Sequence, residues 1–451
     1  MRHLLFPSGL QSSAAAALLL TLAAPATALD QPPARIDAPL TLVQLTDLAL
    51  SNNPATKLAW ASIRGSEAGV TLARAGYWPQ LTADYVLQRG RSINFSGATN
   101  SAQTRYGPGI SLSYLLWDFG SRSGGLDAAE FSLTAAQLSG SQTLQDVVLA
   151  VEQDYYQVLG LAALVDADGQ SVQDAAASLD AANQRKLSGL ATLGDVYQAE
   201  AALAGARLAL QQAQGQLAAA SGGLAVTAGF GADTALPLAP WEQDVVPRLP
   251  SQSVREMLVQ AGQARPELLA AKAREQSALA SLESTRGRGL PSLVLNASAG
   301  RNTTEITGQT TTANNYSAGL TLSMPLFAGF GDEAANRQAQ AAVDTAQATT
   351  EQLLQQVQLE VWQAYQNLHT AAATLDTSAA QFKSAQQAAD VTGARYKNGL
   401  DSILDVLTSQ STLAAARVQQ VQARLNWFAA QAALGHALGG LDAPKDSAEL
   451  P

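Results

Sequence analysis

The chain repeats itself. Segments about 210 residues apart match across most of its 451 residues, so the fold of one half is also the fold of the other. Early in the unit the offset is 212, which sets Asn53-Pro54 against Arg265-Pro266 and Tyr77-Trp78-Pro79-Gln80-Leu81 against Gly289-Leu290-Pro291-Ser292-Leu293. Later it is 210, pairing Val151 with Val361, Tyr155 with Tyr365, Arg185 with Arg395, Gly189-Leu190 with Gly399-Leu400, Asp195-Val196 with Asp405-Val406 and Arg207 with Arg417. The two-residue slip belongs between Pro291 and Leu354. The polar stretch before Tyr316 is where a change of length costs least.

Within each copy the hydrophobic period changes from two to about three and a half, so strands precede long helices. Leu81, Ala83, Tyr85 and Leu87 alternate with polar neighbours, as do Ile110, Leu112, Tyr114 and Leu116; the second copy repeats this from Leu293 to Ala299 and from Ala318 to Leu322. The alternation predicts four strands of about ten residues, the length an outer-membrane barrel needs. Each pair flanks a polar segment, Arg91 to Gly107 and Arg301 to Asn315, and both are expected to be long loops. A small soluble sheet fits the same alternation. After Ser121 and Asp332 proline disappears and heptads begin. Leu144, Val148, Val151, Tyr155, Val158, Ala162 and Val165 form a coiled-coil seam, repeated by Leu354, Val361, Tyr365, Leu368, Ala372 and Leu375 with Gln358 as the exception. The return helix alternates large and small residues from Val196 and Ala199 to Ala220 and Leu224. Single leading helices are expected near Leu42 to Arg74 and Ser251 to Arg286. The predicted organisation is a secretory signal peptide at 1–28, a first repeat at 29–240, a second at 241–440, and a disordered tail at 441–451.

The signal peptide rests on Arg2, an apolar run through Ala14 to Leu22, and the A-x-A pattern Ala26-Thr27-Ala28. The run is too short for a transmembrane anchor, and no later segment approaches the roughly 20 apolar residues that a spanning helix requires. With 27 Lys and Arg against 37 Asp and Glu, the net charge of -10 opposes binding to a nucleic-acid backbone. The absence of cysteine excludes thiolate catalysis, disulfides and a lipid-modified N-terminal cysteine. His369 and His436 lie on different helices without metal-ligand spacing, and no nucleophile and base pattern is present, so neither a metal, a cofactor nor an enzyme is expected.

Ala73-Arg74-Ala75-Gly76-Tyr77-Trp78-Pro79-Gln80-Leu81, Arg265-Pro266-Glu267-Leu268, Pro325-Leu326-Phe327-Ala328-Gly329-Phe330, and above all Arg395-Tyr396-Lys397-Asn398-Gly399-Leu400 leading into Asp405-Val406-Leu407 resemble the TolC-like outer-membrane efflux proteins. The resemblance covers nearly all of the mature chain. It implies a mixed α and β membrane protein, internally duplicated. Three protomers would give four strands each to a twelve-stranded outer-membrane β-barrel, continued by a long periplasmic α-helical coiled-coil barrel. It further implies an exit duct of a tripartite efflux or type I secretion system. The partners would be a periplasmic adaptor and an inner-membrane transporter of the RND, ABC or MFS class, with outer-membrane lipid around the barrel. Physical reasoning concurs, since four strands alone leave two edges unpaired in lipid.

The resemblance also assigns residues. Asp405 matches an aspartate that rings the pore constriction, although a first-turn aspartate also complements a helix dipole. Where the family can carry a second aspartate this chain has Thr408, for which Asp401 is a partial replacement if the helix begins early enough. Asp195 and Tyr396 match an inter-helix latch. A second latch is lost, because Asp401 and Gly194 occupy its two positions. Gly189, Leu190, Gly399 and Leu400 match the turns that meet the adaptor. The competing reading is a periplasmic coiled-coil adaptor or scaffold without a pore.

Overall fold

The computed structural model describes residues 38–91, 101–239, 249–306 and 308–440. The expected signal peptide and the tail at 441–451 lie outside them. In chain order the elements are α1 (Leu42–Asn52), α2 (Pro54–Ala75), β1 (Gln80–Gly90), β2 (Gln103–Trp117), α3 (Ser121–Leu187), α4 (Leu193–Thr227), α5 (Val254–Ala264), α6 (Pro266–Arg288), β3 (Ser292–Ile306), β4 (Gln309–Ser323), α7 (Gly331–Lys397) and α8 (Ile403–Ala437). The duplication is literal: the four long helices begin and end at positions 210 apart.

The leading helices differ from expectation. Each is two helices, broken at Asn53 and at Arg265, because proline follows and drives its predecessor out of the helical region. Asn53 has ψ 131 and Arg265 ψ 120. Asn53 turns the break to use as an N-cap, its side chain accepting from the Ala55 amide at 2.7 Å.

The four strands form one antiparallel sheet in the order β1-β2-β3-β4. Its rows show what the alternation is for. Leu81, Leu112, Ala297 and Ala318 are successive neighbours across the sheet, as are Ala83, Ile110, Ala299 and Tyr316. The opposite face carries Thr82, Ser111, Ser298 and Ser317, with the last two hydroxyls 2.9 Å apart. One face is therefore apolar across all four strands and the other is polar, the arrangement of a barrel wall with lipid outside and water within. The slip is also located. Gln80 pairs with Ser113 and Ser292 with Ser323, so the first member moves by 212 and the second by 210, and the length change falls at the hairpin tip.

The second hairpin corrects an expectation. The segment Arg301 to Asn315 is not a long loop, because β3 runs to Ile306 and β4 starts at Gln309 with two residues between. Thr303 and Thr312 face each other with their hydroxyls 3.1 Å apart. Threonine is polar but β-branched, so a polar composition concealed a strand. The first connection is also shorter than expected, since β2 begins at Gln103.

Below the sheet α3 and α7 each run 67 residues without interruption, about 100 Å at about 1.5 Å per residue. The expected seams are buried or half-buried: Val151, Tyr155 and Val158 pack with Leu45, Ala49 and Leu224, and Val361 and Leu368 pack with Met257, Trp427 and Leu434. At Gln358 the seam moves over to buried Val357.

Glu152 lies beside this core, and burial pushes its carboxyl up to about 7 from 4.5. Burial, aided by Glu152, pushes its neighbour Tyr156 up to about 12, and the Tyr156 ring stacks on Phe428 at 4.7 Å. Because the folded carboxyl keeps its proton between pH 4.5 and about 7 while the unfolded one loses it, Glu152 subtracts stability as pH rises through that window. Glu152→Gln is expected to raise the melting temperature at pH 8 and leave it unchanged at pH 4. Thermal denaturation in detergent at the two pH values checks this.

Candidate functional site

The residues singled out from the sequence meet at the ends of α3 and α7 away from the sheet. Both helices end in the same way. The Leu190 amide donates to Arg185 O at 2.8 Å and Gly189 to Lys186 O at 3.0 Å; Leu400 donates to Arg395 O at 2.9 Å and Gly399 to Tyr396 O at 3.0 Å. This double bond needs a left-handed residue, supplied by Gly189 at φ 73 and Gly399 at φ 78. It turns the chain sharply and leaves Leu190 and Leu400 exposed at the tips.

Each return helix starts with a reciprocal cap. Thr192 Oγ1 accepts from the Asp195 amide at 3.2 Å, while Asp195 Oδ2 accepts from the Thr192 amide at 2.7 Å. In the second copy Asp405 Oδ2 accepts from the Ser402 hydroxyl at 2.6 Å and the Ser402 amide at 3.0 Å. These bonds, the hydroxyl first, hold the Asp405 carboxyl below the usual carboxylate range, and Arg395 adds a smaller attraction. Asp405 thus stays ionised while exposed at the surface. Thr408, one turn on, is exposed as well.

Asp401 does not take up the role of a second carboxylate on that face. The helix begins at Ile403, after Asp401, and Arg395 Nε binds both Asp401 oxygens at 3.0 and 2.9 Å. The residue standing where a latch arginine was expected is instead neutralised within its own turn.

Asp195 and Tyr396 come near each other without a hydrogen bond. The Tyr396 phenol is buried and has no hydrogen-bond partner in the single chain, and Asp195 is engaged in its cap. The phenol is pushed up by burial, with Asp195 adding to the shift and Arg185 opposing it. Tyr396 packs with Ala182, Val196, Ala199, Ile403 and Val406, a cluster drawn from all four long helices.

Arg185 joins the two turns, a role that sequence reasoning missed. Its guanidinium lies 4.6 Å from the centroid of the Tyr396 ring and donates to the Tyr396 carbonyl oxygen, bridging α3 to α7. Further up, Arg417 contacts Asp174 at 2.8 Å and Gln410 donates to Ser178 at 2.7 Å, joining α8 to α3. A signal was available: Arg185 and Arg417 both recur at the 210 offset, as Arg395 and Arg207, in helices poor in charge. Among the described residues no group of acidic or histidine side chains is arranged to hold a metal.

The sequence model described as outer membrane efflux protein matches residues 45–229 and again 257–440, once in each repeat. Protein CyaE of Bordetella pertussis is 32% identical over 406 residues, covering 88% of this chain and 84% of that one. Outer membrane efflux protein BepC of Brucella suis is 27% identical, with 88% and 84% covered. Among solved structures, the outer-membrane channel OprN superposes with a TM-score of 0.80 at 22% identity, covering 88% of this chain and 90% of its own. The outer membrane protein VceC from Vibrio cholerae gives 0.78 at 22% identity, covering 88% and 96%.

Proposed function

The chain belongs to the outer membrane efflux protein family, and from that premise we propose how its own residues form and guard an outer-membrane exit duct. Three copies close the four-stranded sheets into a twelve-stranded barrel in the outer membrane, and the helical hairpins continue as a tunnel into the periplasm. The observation that carries this reading is the sheet: an apolar face unbroken across four strands, with β1 and β4 unpaired along their outer edges. A scaffold without a pore has no use for such a face.

The mouth of the tunnel is assigned to the two helical turns. Asp405 from three copies forms a ring of carboxylates, kept ionised by Ser402, that favours cations. Thr408 widens and neutralises the next layer. Asp195 and Tyr396 hold neighbouring helices, Asp195 through the cap it gives α4 and Tyr396 through the cluster packed around its ring. Gly189, Leu190, Gly399 and Leu400 present the tips to a periplasmic adaptor, because exposed leucines on tight turns are suited to burial by another protein. Transport is passive, with energy supplied by an inner-membrane RND, ABC or MFS transporter. The 1–28 segment is the export leader.

Single-channel recording of purified protein in a planar bilayer tests the assignment. The wild type is expected to give small, cation-selective currents, and Asp405→Asn to lower the cation preference several-fold. Asp195→Ala is expected to raise the open fraction. Folded protein that gives no channel would leave the scaffold as the better account. An unchanged selectivity would move the constriction away from Asp405.

A further inference from the structure

Where β1 and β2 meet the helices, the apolar face of the sheet runs into a cleft. Pro79 and Tyr114 extend that face two residues past the Leu81 and Leu112 row, and with Arg74, Tyr77, Trp78 and Leu126 they enclose about 620 Å³. A space of this size is enough for a small ligand. Its lining is apolar and aromatic, and Arg74 is the one charged residue in it.

The walls are held in place from behind. Arg122 Nη1 donates to Gly76 O at 3.0 Å and to Leu115 O at 2.7 Å, which ties the turn after α2 to the end of β2. Its guanidinium lies 4.3 Å from the centroid of the Tyr77 ring and fixes that ring as one side of the cleft. Trp78 beside it is 73% exposed. A tryptophan at the end of a lipid-facing strand suits the membrane interface, where its ring is part in hydrocarbon and part among headgroups.

Farther from the sheet the character changes. Leu126 and Glu130 are four residues apart on α3 and share one face. Glu130 Oε1 meets Arg74 Nη2 at 2.7 Å, in a pair whose side chains are 45% and 62% exposed. So exposed a pair contributes little to stability. Among the described residues it also leaves the remaining guanidinium donors and the second carboxylate oxygen without a bond.

Apolar toward the sheet, with one positive and one negative group beyond, the cleft complements a lipid whose headgroup carries both signs. We propose that it binds a zwitterionic phospholipid of the periplasmic leaflet bearing a primary ammonium; the proposal rests on the exit-duct reading above, which puts this turn at the inner surface of the outer membrane. An acyl chain lies along Trp78, Pro79 and Tyr114, the phosphate meets Arg74 and the ammonium meets Glu130. An anionic headgroup would set negative charge against Glu130, and a quaternary ammonium has no hydrogen to donate to it.

The duplication limits the number of such sites. In the second repeat Gly289 stands for Tyr77, Leu290 for Trp78, Asn336 for Leu126 and Gln340 for Glu130. Arg286, the counterpart of Arg74, pairs at 2.6 Å with Glu283 of its own helix. The second hairpin thus lacks the aromatic wall, the apolar floor and the ammonium acceptor. One lipid per chain follows, hence three per channel.

Native mass spectrometry of the detergent-purified protein counts bound lipid during titration with phosphatidylethanolamine, phosphatidylcholine or phosphatidylglycerol of equal chain length. The trimer is expected to fill three sites, with phosphatidylethanolamine held several-fold better than the other two. Glu130→Gln should bring phosphatidylethanolamine down to the level of phosphatidylcholine. Leu126→Asn, which installs the residue of the second repeat, should empty the sites while the trimer mass is kept. Equal retention of the three lipids overturns the proposal, as does saturation at six per trimer or an unchanged preference in Glu130→Gln. A trimer that retains no lipid overturns the cleft and leaves the duct standing. A monomer that still prefers phosphatidylethanolamine upholds the cleft and overturns the duct; one that binds none overturns both. Should Leu126→Asn fail to fold, quenching by brominated phosphatidylethanolamine is compared between wild type and Trp78→Phe. Loss of quenching in the variant supports the cleft, and equal quenching overturns it.

Discussion

Arg265→Met is expected to cost about 3–5 kcal/mol of stability, the usual result of removing one partner from a buried ion pair. Arg265 sits at the break between α5 and α6, 4% exposed, with its guanidinium on buried Glu267 and, at 2.7 Å, on Glu360 of α7. It also reaches the His436 carbonyl near the end of α8 at 3.4 Å, so one side chain joins three parts of the second repeat. Without it the Glu267 carboxylate remains buried and uncompensated. In the first repeat the equivalent position is Asn53, which reaches Thr227 O at the end of α4 with a neutral amide at 2.8 Å. Asn53→Ala should therefore cost only about 1 kcal/mol, the value of a lost cap. Replacing Arg265 and Glu267 together by Met should recover most of the single-mutant loss. Thermal unfolding in detergent compares the variants; equal losses for Arg265→Met and Asn53→Ala would contradict the argument.

Arg185→Ala is expected to turn a mostly closed channel into a mostly open one. The charged donor to the Tyr396 carbonyl contributes roughly 1.5–3 kcal/mol and the guanidinium over the Tyr396 ring about 0.5–1. Taking about 2 kcal/mol per copy as conservative, three copies opening together lose about 6 kcal/mol, which moves a two-state ratio by about 10⁴. Arg395→Ala serves as the control. Although Arg395 is the counterpart of Arg185, it binds Asp401 in its own turn and so should alter the open fraction much less. The open probability in single-channel records decides between them. Equal effects would mean that Arg185 does not lock the mouth.

What was legible in the sequence is what recurs or alternates. The duplication and the heptads specify α3, α4, α7 and α8, and alternation with β-branched residues specifies the strands. Errors arose where composition and conformation part company. The threonines from Thr303 to Thr312 look like loop and form strand. The leading helices look continuous, although Asn53-Pro54 and Arg265-Pro266 carried the signal of a break. At the mouth, positions could be matched but partners could not. Whether Asp401 faces a pore or Arg395 depends on where α8 begins, and the Ser402 and Asp405 cap sets that point. Arg185 was visible as one of a recurring pair; that it lies on the Tyr396 ring depends on the packing of α3 against α7, which no local pattern encodes.

The uninterrupted length of α3 and α7 has a mechanical consequence. An unbroken helix of about 100 Å multiplies angle into displacement, so a tilt of about 1° at its membrane end carries its tip sideways by about 2 Å. With no proline within either rod to absorb the motion, a slight rotation just beneath the barrel reaches the far end whole. The aperture of such a tube is then set less by local unfolding at its tip than by leverage, and a protein grasping the rods part-way along has enough purchase to open it.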